Sequence, residues 1–176
     1  HDKPRMDEDD HNKSDEWFDK YVEHYQHQPD ATINEMVELK IAHTKRTVEH
    51  AKAICKGEGI TGAKRHLAIT ATLLHDTGRF EQATKHRTYK DQDSTDHGAL
   101  GATILEEEGV LDHLPPEERR TILEAVKHHN KKTLPRMDEE TLTASKVVRD
   151  ADKLDNMHLQ ATKDAPREAC TPAVIK

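Results

Sequence analysis

Residues 66–76, HLAITATLLHD, constrain the fold of this chain more than any other stretch. Between its two histidines the segment holds only apolar residues and threonine, in a chain that is 35% charged. It must lie where other elements cover it on nearly every side, and its length without proline or glycine reads as a central helix. Gly78, just past its end, marks a turn. His75 and Asp76 close the segment side by side, and burying them is costly unless something pairs with them; a divalent metal ion is one such partner.

The flanking pattern supplies the elements that would cover this helix. Trp17, Tyr21 and Tyr25 recur at four-residue steps, a helix that ends at Gln28-Pro29-Asp30. A second helix is expected over 33–56, with Met36, Leu39, His43, Thr47, His50 and Ile54 on one stripe and KGEGITG breaking it. The central helix covers 63–76, and a long polar loop is expected over 81–95. A fourth helix covers 96–108 and stops at Gly109; a fifth starts at Pro115-Pro116-Glu117-Glu118 and runs to His129 or Asn130. A sixth covers 139–163, before Pro166 and Pro172. No segment alternates with a two-residue period, and aromatic residues are only 3%. The expected fold is therefore all-α, a single-domain helical bundle of about six helices.

The length of 176 residues suits one domain, expected over 15–165. The acidic start, 1–14, is read as a disordered tail, and 166–176 as a C-terminal tail that a longer chain could continue. The net charge of −7, with no long basic run, disfavours binding to duplex nucleic acid and leaves a small anionic substrate open. Cys55 and Cys170 form no CxxC pair, which suits a reducing compartment, so the cytoplasm is the expected location. No apolar run approaches the roughly 18 residues needed to span a bilayer, so no membrane association is expected. A homo-oligomer is compatible with all of this.

Polar residues on the apolar stripes form the candidate site. His43 shares its stripe with Met36, Leu39 and Ile54; His97 begins the helix that carries Leu100 and Ile104. His129 follows Ile122 and Val126 by seven and three, and Asp152 follows Val148 by four. With His75 and Asp76, five helices each direct a candidate ligand inward, the way helical bundles build metal sites. Imidazoles mixed with carboxylates suit Mn, Fe or Zn better than Ca. Most of the 14 histidines have no such placement; His1, His11, His24, His27, His66 and His113 are given no role.

The ordered set KIAHTKRTVEHA, LLHDTGRF, STDHGALGATIL, AVKHHNK and RDADKLDNM resembles the successive motifs of the HD superfamily of metal-dependent phosphohydrolases, over residues 17–160. The resemblance implies an HD-domain-like fold with His43, His75, Asp76 and Asp152 holding one divalent metal. Asp152 is preferred over Asp150 because the family motif reads alanine-aspartate-basic-leucine. His97 with His128 or His129 matches members that bind two metals bridged by the doublet aspartate. Helical phase favours His129, and His128 either joins it or faces solvent. Mn, Fe, Zn, Mg and Ni all remain candidates.

The implied chemistry is attack of a metal-activated hydroxide on a phosphate ester of a nucleotide or another small molecule. Asp76, Arg79 and Lys153 are the expected catalytic residues. Arg79, Lys153, Lys131 and His86 are expected to hold substrate phosphate, with Arg87 and Lys90 as further loop cations. Asn130 follows the histidine pair and no Gly-Tyr-Pro signature occurs, unlike the cyclic-dinucleotide phosphodiesterase branch. Two alternatives stay open: a mixed-valent diiron oxygenase of the same superfamily, and a non-catalytic regulatory domain that binds a nucleotide.

Overall fold

A computed structural model describes residues 5–164. Among them seven α-helices follow one another: α1 Glu8–Glu23, α2 Ala31–Glu58, α3 Gly62–Leu74, α4 Thr77–His86, α5 His97–Glu107, α6 Pro116–His128 and α7 Glu139–Asp164. A short 3₁₀ turn, Asp91–Asp93, lies between α4 and α5, and no strand occurs among the described residues. The fold is all-α, as the sequence periodicities predict. The stretch 66–74 is the central helix: every residue from Leu67 to Leu74 is buried, and α3 packs against α1, α2, α6 and α7. Among the described residues no helix is long and apolar enough to cross a membrane.

Two expectations are corrected. The acidic start is not a disordered tail through residue 14, because α1 begins at Glu8. Asp7 and Asp10 form a reciprocal capping box there, and Glu8, Asp9 and Asp10 place negative charge on the helix N-terminus where the dipole favours it. Met6 is buried and its N–H donates to Glu118 at 3.1 Å, so the segment is docked as well as capped. The expected C-terminal tail, 166–176, lies outside the described residues.

The second correction is α4, which takes residues 81–86 out of the expected loop over 81–95. Phe80 and Ala83 are buried, and the helix ends where Arg87 turns left-handed at φ 55°. Phe80 meets Phe18 and Tyr21 of α1 and Tyr25 just past its end at centroid distances of 6.0, 6.3 and 6.0 Å. On its other side α4 crosses α5 backbone to backbone. A Cβ on Gly78 would stand 2.3 Å from the His97 carbonyl oxygen and 2.9 Å from the Gly101 nitrogen. Only glycine permits that approach.

Candidate metal centre

His75 and Asp76 occupy the corner between α3 and α4, so the doublet leaves the central helix at the point where the chain turns. Thr77 holds the corner by donating from its hydroxyl to the Leu74 carbonyl at 2.8 Å. Asp76 has φ −102° and ψ 18°, outside the helical range, which aims its carboxylate into the bundle rather than along the helix. It is 2% exposed, and His43 and His75 are fully buried.

The two oxygens of Asp76 face two different sets of side chains. Oδ2 lies 3.3 Å from His43 Nε2 and 3.4 Å from His75 Nε2, and Asp152 Oδ1 lies 2.9 and 3.4 Å from the same two nitrogens. Oδ1 lies 3.4 Å from both His97 Nε2 and His129 Nε2. Each set keeps its donor atoms within 4.8 Å of one another, a spacing that can hold a metal ion. His43 Nε2, His75 Nε2 and Asp76 Oδ2 are buried with no hydrogen-bond partner among the described residues. Buried polar atoms are rarely left so, and a cation at the convergence of the set satisfies all three. The mixed nitrogen and oxygen donors fit Mn, Fe, Zn or Ni.

All four imidazoles are aimed from behind. His43 Nδ1 donates to Asp155 Oδ2 at 2.6 Å, His75 Nδ1 to the Thr72 carbonyl at 2.6 Å, and His129 Nδ1 to the Val126 carbonyl at 2.7 Å. His97 Nδ1 lies 2.8 Å from both oxygens of Asp91. With Nδ1 committed as donor, each Nε2 faces inward, the orientation a metal ligand needs once a bound cation displaces the proton there. His97 Nε2 and His129 Nε2 stand 2.9 Å apart, a pairing that needs a shared proton or a cation. The supports are themselves tied down. Arg46 donates to Asp155 at 2.7 and 3.1 Å, and Asp91 also accepts from Gln82 and Asn130 at 2.9 Å.

Charge within the cluster shifts its titrations in opposite directions. Burial alone would lower the His75 pKa, but Asp76 and Asp152 outweigh it and push the imidazole up to about 10. For His43, burial is likewise outweighed by Asp152 and Asp76, and its pKa is raised. For His129 burial wins over Asp76, and the pKa is lowered. Asp76 and Asp152 would be raised by burial, yet the surrounding imidazoles hold both well below the ordinary carboxylate range.

The structure brings together His43, His75, Asp76, His97, His129 and Asp152. It does not bring His128 to them. That ring faces away at the end of α6 and pairs with Glu124 at 2.8 Å, because adjacent helical residues point about 100° apart. Asp150 is exposed on α7, away from both sets. Arg79 lies beside the site, its Nε 3.9 Å from Asp76 Oδ1. Lys153 is exposed and, with Arg149 and Asn156, lines a cleft of about 490 Å³ that opens on His129 and Asp152.

Lys131 pairs with Asp96 at the start of α5 rather than facing the cleft. His86 is exposed at the far end of α4, Lys90 is exposed, and Arg87 pairs with Asp30 at 2.8 Å. His86 and Arg87 lie at the end of α4 opposite the doublet, and Lys90 lies beyond the helix, before the 3₁₀ turn. Sequence reasoning missed Asp155 and Asp91, the carboxylates behind His43 and His97. Asp155 carried a signal, since it follows Asp152 by three and so shares its helix face.

A family model described as the HD domain matches residues 41–157. Neither the curated proteins nor the solved structures gave a match.

Proposed function

The chain belongs to the HD domain family, and from that premise we propose that it is a metal-dependent phosphohydrolase acting on a nucleotide or another small phosphorylated molecule. The observation that carries this reading is Asp76, one buried carboxylate whose two oxygens serve two separate sets of histidines. Residues so arranged suit a pair of divalent cations, His43, His75, Asp76 and Asp152 for one and Asp76, His97 and His129 for the other. Divalent cations there would supply Lewis acidity toward phosphoryl oxygens and a hydroxide nucleophile near neutral pH.

The remaining work falls to the chain's own groups. The Nδ1 hydrogen bonds to Asp155, Thr72, Asp91 and Val126 fix the four rings, so little reorganisation accompanies the reaction. Phe80 and the α3 core exclude water from behind, which leaves the cleft over His129 and Asp152 as the approach for substrate. Lys153 at its rim supplies positive charge to the substrate's phosphate.

The test is hydrolysis of a panel of nucleotides and small phosphate esters by anaerobically purified protein reconstituted with Mn²⁺ or Fe²⁺, beside Asp76→Ala. Cleavage lost in the variant supports the reading and names the bond. Consumption of O₂ by the iron-loaded protein, with every ester left intact, would replace it with the oxygenase.

A further inference from the structure

Tyr89, in the segment between α4 and α5, has no part in the chemistry described above, yet it is held firmly beside it. Its hydroxyl donates to the Met36 carbonyl of α2 at 2.6 Å, and its own carbonyl accepts from Arg79 Nη1 at 2.7 Å. Two cations lie over its ring, Lys40 with its nitrogen 5.0 Å from the centroid and Arg79 with its guanidinium carbon at 5.2 Å. Such contacts restrain a cation without occupying its hydrogen-bond donors.

Both cations also flank the shared carboxylate. Lys40 Nζ is 3.9 Å from Asp76 Oδ2, and Arg79 Nε is 3.9 Å from Asp76 Oδ1. At that distance neither forms a hydrogen bond to Asp76. Arg79 Nε is buried with no hydrogen-bond partner among the described residues, and Lys40 lies three residues, about one turn, before His43 with only 12% of its side chain exposed. Arg79 pairs through Nη1 with Asp91 at 3.4 Å, yet its Nε and the Lys40 ammonium keep donors beside a candidate site for divalent metals, where bound cations would add positive charge to what the carboxylates balance. A phosphate dianion has the charge and the acceptor oxygens to answer it.

We propose that Lys40 and Arg79 form an anion-holding wall for a phosphomonoester, and that Tyr89 is the positioning residue that keeps both cations at the site. This rests on the phosphohydrolase reading and narrows its substrate class to a terminal phosphate. A diester, with one charge and two esterified oxygens, uses the wall less well.

The experiment titrates Mn²⁺-loaded protein calorimetrically with inorganic phosphate and with dimethyl phosphate, after Mn²⁺ stoichiometry and melting temperature have been measured for each variant. Wild type should prefer inorganic phosphate. Lys40→Met, or Lys40→Gln should the first fold poorly, should weaken inorganic phosphate by about 10-fold or more with Mn²⁺ stoichiometry unchanged. Lys40→Arg should restore it to within a few-fold. Tyr89→Leu should weaken phosphate binding, and Tyr89→Phe, which keeps the ring, should weaken it less. Unchanged phosphate affinity in Lys40→Met with tighter Mn²⁺ binding would overturn the wall and leave Lys40 as a neutraliser of Asp76. Failure of Mn²⁺-loaded wild type to bind either anion would instead remove the phosphohydrolase reading itself.

Discussion

Asp155 Oδ2 accepts a hydrogen bond from His43 Nδ1 at 2.6 Å, across 112 residues of chain, and Arg46 grips the same carboxylate from the side. The pair fixes which nitrogen of His43 faces the site. Asp155→Ala should lower Mn²⁺ affinity of the set that contains His43 by about 10- to 100-fold. Asp155→Asn, which can still accept from Nδ1, should lose less. Mn²⁺ titration followed by electron paramagnetic resonance reads both, and equal affinity in all three proteins would contradict the role.

The shared carboxylate predicts a difference in stoichiometry. Asp91→Ala removes the support behind His97 and should weaken only the set of Asp76, His97 and His129. Asp76→Ala touches both sets and should weaken both. Elemental analysis after gel filtration distinguishes the two patterns.

Neighbouring histidines should behave differently. His129→Ala removes a donor from the second set and should reduce bound metal. His128→Ala breaks a helical pair with Glu124, costs about 0.3 kcal/mol of stability, and should leave bound metal unchanged. A loss of metal in His128→Ala would reverse the assignment.

Gly78→Ala should be among the most damaging single-methyl changes in the chain. Its Cβ would meet the His97 carbonyl oxygen at 2.3 Å, a backbone atom that cannot swing aside. The crossing of α4 and α5 would have to open, at a cost of about 3 kcal/mol. Because His97 starts α5, thermal stability and metal content of the second set should fall together.

The helix that carries Asp152 and Asp155 has a pH-sensitive start. Asp138 accepts from the Thr141 N–H at 2.8 Å, and its hydrogen bonds to Thr141, helped by Arg120, lower its pKa from 3.8 to about 2. A depressed carboxylate pKa contributes stability above the unfolded value, and that contribution is lost as pH falls through the folded value. Asp138→Ala should therefore cost about 1 kcal/mol near neutral pH. In urea unfolding the gap to wild type should narrow as pH falls from about 5 to about 3, and a constant gap would contradict the assignment.

How much of this could be read from residues alone follows a physical divide. His43, His75, His97, His129 and Asp152 lie on or at the ends of apolar stripes, and a side chain's helical phase is a local property. That same phase separates His129 from His128. Asp91 and Tyr89 sit in a segment with no period, where nothing local fixes direction, and Lys40 looks like any surface lysine until Tyr89 covers it. The helix α4 escapes a sequence reading because Gly78, its second residue, reads as a turn, whereas the structure uses it for the close crossing with α5. At the N-terminus, a run of acids read as solvated tail is also what a helix start prefers, and the docking of Met6 decides between the two.

The aromatic residues at the end of α1 have a consequence for where this domain begins. Phe18, Tyr21 and Tyr25 cover Phe80, which lies four residues beyond the shared carboxylate on the short helix that leaves it. All three, with Met36 and Lys40, precede residue 41, where the family match starts. A protein cut at that boundary would keep every candidate ligand and lose the back wall behind them, so the smallest unit defined by kinship is smaller than the smallest unit defined by packing.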